Sequence, residues 1–332
     1  MEHPVLKESY PGLKGQLPDQ GNPRLDLSVV IPITERYDDL RLLYQSYASE
    51  LKRLERSFEF IFVIDGQFPG VLETLQQLKS ENPSIRIIKF ERSFGEAAAL
   101  LAGFNFTSGK RILTLSSYFQ VEPSEIGKVI EAMDGTDLVI TRRYPRTDSL
   151  INRFQSRVFH WLVSRFTGAA YHDITCGLRG MSRAVAQELD LYGDLHRFIP
   201  LMAYKHGFKV AEVPVRQHPM DRAIRIFQPG IYLRRFLDIL TVFFLTKFTR
   251  KPLRFFGLIG STLFFTGSLV TLYLGLYRIF GFGGIAERPL LLLGVLLMVL
   301  GVQLFSIGLI GEIVIFTHAR QMKDYRVEEI LD

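Results

Sequence analysis

Phe58-Glu59-Phe60-Ile61-Phe62-Val63-Ile64-Asp65-Gly66 is a β-branched and aromatic run that stops at a turn pair, and it reads as a strand. Before it, residues 27–33 form a second apolar run, with Ser28-Val29-Val30-Ile31-Pro32 at its heart. Between the two, residues 38–54 show helical spacing through Leu40, Leu43, Tyr44 and Tyr47. The same alternation continues beyond Gly66. Residues 71–78 are helical in pattern, 85–90 strand-like, 95–106 alanine-rich and helical, and 111–115 and 137–141 again strand-like. Strand, helix and strand joined by short connections predict βαβ units, hence an α/β domain with a mostly parallel sheet. Such a sheet places ligands at its carboxyl edge, where Asp65-Gly66 lies. Asp65-Gly66 also has a simpler reading as a strand-ending turn that needs no ligand.

Farther along, residues 150–166 form an amphipathic helix carrying Arg153 and Arg157, helical pieces follow at 183–189 and 197–206, and residues 209–215 read as a strand. The pattern then changes. Residues 231–248 alternate Leu233, Phe236, Leu237, Leu240 and Phe244 with Arg234, Arg235, Asp238 and Lys247. That segment is too charged to span a bilayer and apolar enough to lie flat on one, although a helix packed on the preceding domain has the same periodicity. Two uncharged apolar stretches follow, residues 255–277 and 289–311, each about 23 residues and about 34 Å as helix, enough for a hydrocarbon core of about 30 Å.

The net charge is +6, and much of it flanks these stretches, in Lys247, Arg250, Lys251 and Arg254 and then Arg320, Lys323 and Arg326. Basic outer flanks around a short glycine-rich loop predict a two-span hairpin with both ends of the chain in the cytoplasm. No basic run interleaved with aromatics marks a nucleic-acid surface. One cysteine, Cys176, excludes an internal disulfide and fits a reducing compartment. Residues 1–26, with Pro4, Pro11, Pro18 and Pro23 and no apolar core of a signal peptide, read as an extended leader.

Taken in order, several segments carry a family resemblance: Ser28-Val29-Val30-Ile31-Pro32, Phe62-Val63-Ile64-Asp65-Gly66, Arg92-Ser93-Phe94-Gly95-Glu96-Ala97-Ala98, Asp173-Ile174-Thr175-Cys176-Gly177-Leu178-Arg179 and Ala211-Glu212-Val213-Pro214-Val215. With the apolar pair, they make the chain resemble family 2 glycosyltransferases with a GT-A fold, of the branch acting on polyisoprenyl phosphates. The resemblance implies a GT-A domain over 27–228, an interfacial helix over 229–252, a transmembrane hairpin over 253–318 and a cytoplasmic tail over 319–332. It further implies a nucleotide-sugar donor, a polyisoprenyl phosphate acceptor, residence in the plasma (inner) membrane and a homo-oligomer, of which a tetramer is one form.

The same resemblance assigns residues. Pro32, Thr34, Glu35, Asp65, Arg92 and Gly95 would face the nucleotide, and so would Ser116, Ser117, Tyr118 and Gln120. Arg143, Arg153, Ser156, Arg157, Arg222 and Arg225 would grip the acceptor phosphate. Asp173 would stand near the reacting centre, with Arg142 and Arg179 as catalytic cations. Two departures matter. Where the family places Asp-X-Asp, this chain reads Ser116-Ser117-Tyr118, so the divalent metal expected for the family loses its carboxylates, and no metal is assigned. The closing loop after 215 keeps Arg222 and Arg225 without the family's Gly and Ser-Lys. Three outcomes therefore follow from the resemblance: a transferase whose diphosphate is neutralised by arginine (Arg92, Arg142, Arg143 or Arg179), a transferase that recruits metal weakly through the substrate phosphates alone, or a silent relative that binds nucleotide or lipid and scaffolds envelope-glycan enzymes.

Overall fold

The computed structural model describes residues 25–145, 171–189, 191, 193, 195–221, 252–281 and 289–318. The chain divides into two compact units, Met1–Pro229 and Gly230–Asp332.

The first unit is built on one sheet of β1 (Leu25–Ile33), β2 (Phe58–Ile64), β3 (Ile85–Lys89), β4 (Gly109–Thr114), β5 (Leu138–Arg143), β6 (Arg179–Ser182) and β7 (Val210–Val215), in the order β3-β2-β1-β4-β6-β5-β7. Every pairing is parallel except the two made by β6. The mostly parallel α/β sheet expected from the alternation is therefore present. Period-2 alternation along β1 explains the layers: Leu27, Val29, Ile31 and Ile33 pack with one hydrophobic cluster and Val30 with the other. Helices α1 (Leu40–Arg53), α2 (Val71–Glu81) and α4 (Ile126–Ala132) bury Leu43, Leu75 and Val129 in the first cluster, while α3 (Glu96–Asn105), α5 (Arg183–Glu188) and α6 (Ile199–Lys205) bury Leu100, Val185 and Ile199 in the second. Asp39 starts α1 by accepting hydrogen bonds from the Arg41 and Leu42 amides.

β6 is the element the alternation does not announce. It is four residues, Arg-Gly-Met-Ser, and a Cβ on Gly180 would strike the Met133 side chain at 2.6 Å. Its short, mixed composition has no period to read, and its place in the sheet is set by pairing with β4 and β5.

In the second unit, α7 (Pro252–Ile279) and α8 (Pro289–His318) pair antiparallel. Both are long and apolar enough to cross a membrane. Their contact is lined by glycine: a Cβ at Gly260 would meet the Gly301 carbonyl at 2.6 Å, and one at Gly267 the Gly294 carbonyl at 2.5 Å. Close backbone approach through small residues is how helices associate where water gives no hydrophobic drive. Glu312 accepts a hydrogen bond from the Leu253 amide at 3.4 Å, satisfying a donor of the first turn of α7. Leu258, Leu269, Leu292 and Ile310 point outward at 61–75% exposure, a surface suited to lipid and costly in water.

The leader, the amphipathic segment 150–166, the interfacial segment 229–252 and the tail 319–332 fall outside the described residues, apart from Leu25 and Asp26 at the start of β1 and Pro252 at the start of α7.

Candidate functional site

The strand order reverses at β1: its sequence successors β2 and β3 lie on one side and β4 on the other. In an open α/β sheet the carboxyl ends flanking such a reversal form the ligand crevice. The crevice here is bounded by the loop after β1, residues 34–39, and the loop after β4, residues 115–120.

These two loops are joined as one unit. The Ser117 hydroxyl donates to the Arg36 carbonyl at 2.6 Å, the Asp38 amide to the Ser117 carbonyl at 3.0 Å, and the Phe119 amide to the Asp38 carboxylate at 2.9 Å. The Arg36 guanidinium lies 4.2 Å from the centre of the Tyr118 ring. Gln120 ties in a third segment. Its carbonyl oxygen accepts from the Gly177 amide at 2.7 Å and the Ser116 hydroxyl at 3.1 Å, and its amide donates to the Tyr118 hydroxyl at 3.3 Å. Gly177 is glycine because a Cβ there would collide with the Ser116 hydroxyl. Burial raises the Tyr118 pKa, with Asp221 and Glu96 adding to the rise against Arg143 and Arg36.

Pro32 is buried within β1, paired with Val63, while Thr34 is half-buried and Glu35 exposed at the lip. Asp65, 2% exposed, accepts from the Ser93 hydroxyl at 3.0 Å and from the Phe94 and Gly95 amides at 2.6 and 2.9 Å. A carboxylate offers about four lone-pair sites, so the loop occupies most of them. Gly95 sits at φ +94°, a conformation an L side chain rarely adopts, and this lets its amide turn toward Asp65. Arg92 is exposed, its guanidinium 5.0 Å from the Phe94 ring.

Arg143 and Asp173, expected at the acceptor phosphate and the reacting centre, are paired with each other at 2% side-chain exposure. Arg143 Nε and Nη2 donate to Asp173 at 2.7 and 3.1 Å, Nη2 also to Thr175 at 2.9 Å, and Nη1 to Asp221 at 3.0 Å. Burial alone would lower the Arg143 pKa; Asp173 outweighs it and raises it, so the guanidinium stays charged. Glu212 of β7 in turn accepts from the His172 and Asp173 amides at 2.7 and 3.1 Å. Arg179, 4% exposed, donates to the carbonyls of His196 and Ile174 at 2.9 and 3.1 Å. Arg143, Asp173 and Arg179 are thus buried in a hydrogen-bonded frame that ties β5, β6, β7 and residues 172–176 together. Arg142 is half-buried on the other side of β5, its guanidinium 5.1 Å from the Tyr144 ring. Arg153, Ser156, Arg157, Arg222 and Arg225 lie outside the described residues.

Sequence reading missed Arg36, which sits in a polar run without a motif, and it missed the Glu96–His196 contact of 3.2 Å between α3 and a 3₁₀ turn. Burial pushes the Glu96 carboxyl up, but the His196 hydrogen bond and nearby Arg179 and Arg197 outweigh it and leave its pKa below the usual value.

The residues at 116–118 do not suit a hard dication. They offer hydroxyls where carboxylates are needed, and the Ser116 and Ser117 hydroxyls are engaged with Gln120 and Arg36. Among the described residues no group of three His, Cys, Asp or Glu is placed to hold a metal.

Cys176 is 1% exposed, donates weakly to Gln120 at 3.6 Å and lies 2.9 Å from the Thr141 hydroxyl, and burial raises its thiol pKa. Native protein is therefore expected to resist thiol-reactive reagents at pH 8 and to react fully once unfolded, as followed by alkylation and mass spectrometry. As the chain's one cysteine, it then reports directly on opening of this frame.

The model of glycosyl transferase family 2 matches residues 28–190. The dodecaprenyl-phosphate galacturonate synthase of Rhizobium johnstonii is 28% identical over 316 residues, 93% of this chain and 94% of that protein. The undecaprenyl-phosphate 4-deoxy-4-formamido-L-arabinose transferase of Photorhabdus laumondii is 31% identical over 313 residues, 92% and 94% of the two chains. Among solved structures, glucosyl-3-phosphoglycerate synthase from Mycobacterium tuberculosis, in complex with Mn2+, uridine-diphosphate-glucose and phosphoglyceric acid, superposes with a TM-score of 0.50 at 15% identity, covering 67% of this chain and 80% of that one. That likeness shows the GT-A fold.

Proposed function

Because the chain belongs to the family 2 glycosyltransferases that use polyprenyl phosphates, we propose that it moves a sugar from a nucleotide-sugar donor to a polyisoprenyl phosphate at the cytoplasmic leaflet of the plasma membrane. The observation that carries this is the reach of the similarity: 31% identity over 92% of the chain takes in the sheet and the two apolar helices together. The charge asymmetry around residues 255–311 supports a hairpin with both termini in the cytoplasm. Association into several copies, such as a tetramer, rests on the family resemblance.

The chemistry asks little of a general base. The acceptor is a phosphate monoester with a second pKa near about 6, so it is largely dianionic at neutral pH. Its oxygen attacks the anomeric carbon as the bond to the donor's diphosphate breaks, with inversion. Catalysis then reduces to holding the two reactants in line and stabilising the departing diphosphate. We place the donor at the crevice between the carboxyl ends of β1 and β4, its base and ribose toward Asp65 and the 92–95 loop. Arg142, with Arg153, Arg157, Arg222 and Arg225, supplies the cations for the acceptor side, and Ser156 a neutral hydrogen-bonding hydroxyl. Arg143, Asp173 and Arg179 are read as positioning residues: their side chains hold β5, the 172–176 segment and β6 in register beneath the substrates.

Purified protein in vesicles containing undecaprenyl phosphate, supplied with radiolabelled UDP- and GDP-sugars, is expected to yield a lipid-extractable sugar. The missing Asp-X-Asp carboxylates favour one other reading, a silent relative that binds without transfer. Nucleotide binding by calorimetry with no lipid-linked product from any donor, with or without Mn2+, selects that reading.

A further inference from the structure

We propose that the Arg36 guanidinium, laid on the ring of Tyr118, supplies the positive charge that neutralises the donor's diphosphate, at a crevice where, among the described residues, no three His, Cys, Asp or Glu side chains are grouped to hold a divalent cation. This inference rests on the transferase reading above and concerns the same crevice.

Four observations support it. Arg36 and Tyr118 come from the two loops that bound the reversal point, so their stack stands where the sheet topology directs a ligand. The loops are fixed to each other by the Ser117, Asp38 and Phe119 hydrogen bonds, so the guanidinium is carried on a rigid base. Its side chain is 38% exposed, with Nη2 donating to the Met220 carbonyl at 3.2 Å and lying 3.9 Å from Asp38. Much of its donor fork therefore remains open to a ligand. Finally, the same edge carries two further guanidinium–ring contacts, Arg92 on Phe94 after β3 and Arg142, near the end of β5, on Tyr144 just beyond it. A ring beneath a guanidinium holds the plane in place while leaving its N–H edge free, and that edge matches paired phosphate oxygens. Arg143 and Arg179, two of the cations the resemblance assigns to this edge, are buried and committed to Asp173, Asp221 and backbone carbonyls, whereas Arg92 and Arg142 stand on the loop after β3 and at the end of β5, not on the two loops that bound the reversal.

In the reaction, the bond between the anomeric carbon and the diphosphate oxygen breaks and its electron pair stays on that oxygen. Arg36 donates hydrogen bonds to the oxygens that gain charge, and no proton changes hands.

The test is calorimetric titration of the full-length protein in detergent with EDTA present, using UDP against UMP and GDP against GMP. A cation that reads the diphosphate makes the cognate diphosphate bind about tenfold or more tightly than its monophosphate without metal. Arg36→Ala is expected to bring that ratio to within about twofold while leaving monophosphate affinity in place, and Arg36→Lys, which keeps the charge but not the fork, to fall between. A purely structural role for Arg36 would weaken both nucleotides alike and leave the ratio. A wild-type preference for diphosphate that arises only on adding Mn2+, or one that survives in Arg36→Ala, overturns the inference while leaving the transferase reading intact. Absence of nucleotide binding together with absence of sugar transfer overturns both.

Discussion

Replacing Asp173 by alanine is expected to cost about 3–5 kcal/mol of stability, because it removes the bidentate partner of the buried Arg143 charge and leaves Asp221 alone to compensate it. The two side chains are each 2% exposed and joined by a bidentate contact, and Asp221 reaches the guanidinium through its other terminal nitrogen. The pair is costly to assemble, since two ions leave water, yet more costly to break. Its desolvation is already spent in the fold, and one partner cannot recover it alone. Asp221→Asn, which keeps a hydrogen-bond acceptor beside Nη1, is expected to cost less. Both variants are read by urea denaturation and by the alkylation rate of Cys176, which lies in the same frame. An Asp173→Ala protein as stable as wild type, with its cysteine still protected, would place Arg143 in a different environment from the one described.

Gly301→Val is expected to separate the two apolar helices. A Cβ at that position meets the Gly260 carbonyl and the Phe264 amide at 2.6 Å, and backbone atoms cannot rotate aside as a side chain can. Overpacking of a fitted contact costs about 1–3 kcal/mol, and here relief requires moving one helix bodily. Gly275→Val on α7 is the control, since a Cβ there meets nothing within 4 Å. The expected outcome is a lower melting temperature in detergent for Gly301→Val alone. Equal melting for the two variants would count against the glycine-lined contact.

Much of the architecture was legible in the chain because its signals are local. Residues 58–64 read as a strand and are β2, and the alternation of strand and helix implies a parallel sheet without reference to distant residues. β6 was not legible. Arg179–Ser182 has neither period nor apolar run, and it becomes a strand through its neighbours. The candidate site divides the same way. Ser116-Ser117-Tyr118 stands out by position within a motif, whereas Arg36 gains meaning only when its guanidinium is seen over Tyr118, 82 positions away in the chain. Arg143 and Asp173 read separately as two functional residues. Their mutual pairing, between the end of β5 and the segment before β6, is a tertiary fact that neither residue announces alone. The glycines at 294, 301 and 308 repeat along α8 and carried a packing signal that apolar character alone concealed.

The claim on which the account turns is that substrate meets this protein at the carboxyl edge of its sheet, around the reversal between β1 and β4. Hydrogen–deuterium exchange of the purified full-length protein, with and without saturating UDP or GDP, tests it directly. Binding is expected to slow exchange in residues 34–38, 92–96 and 115–120 together, leaving the amino-edge segments 55–58 and 107–110 unchanged. Protection confined to the amino edge, or absent from the 34–38 and 115–120 loops while nucleotide is bound, would contradict it.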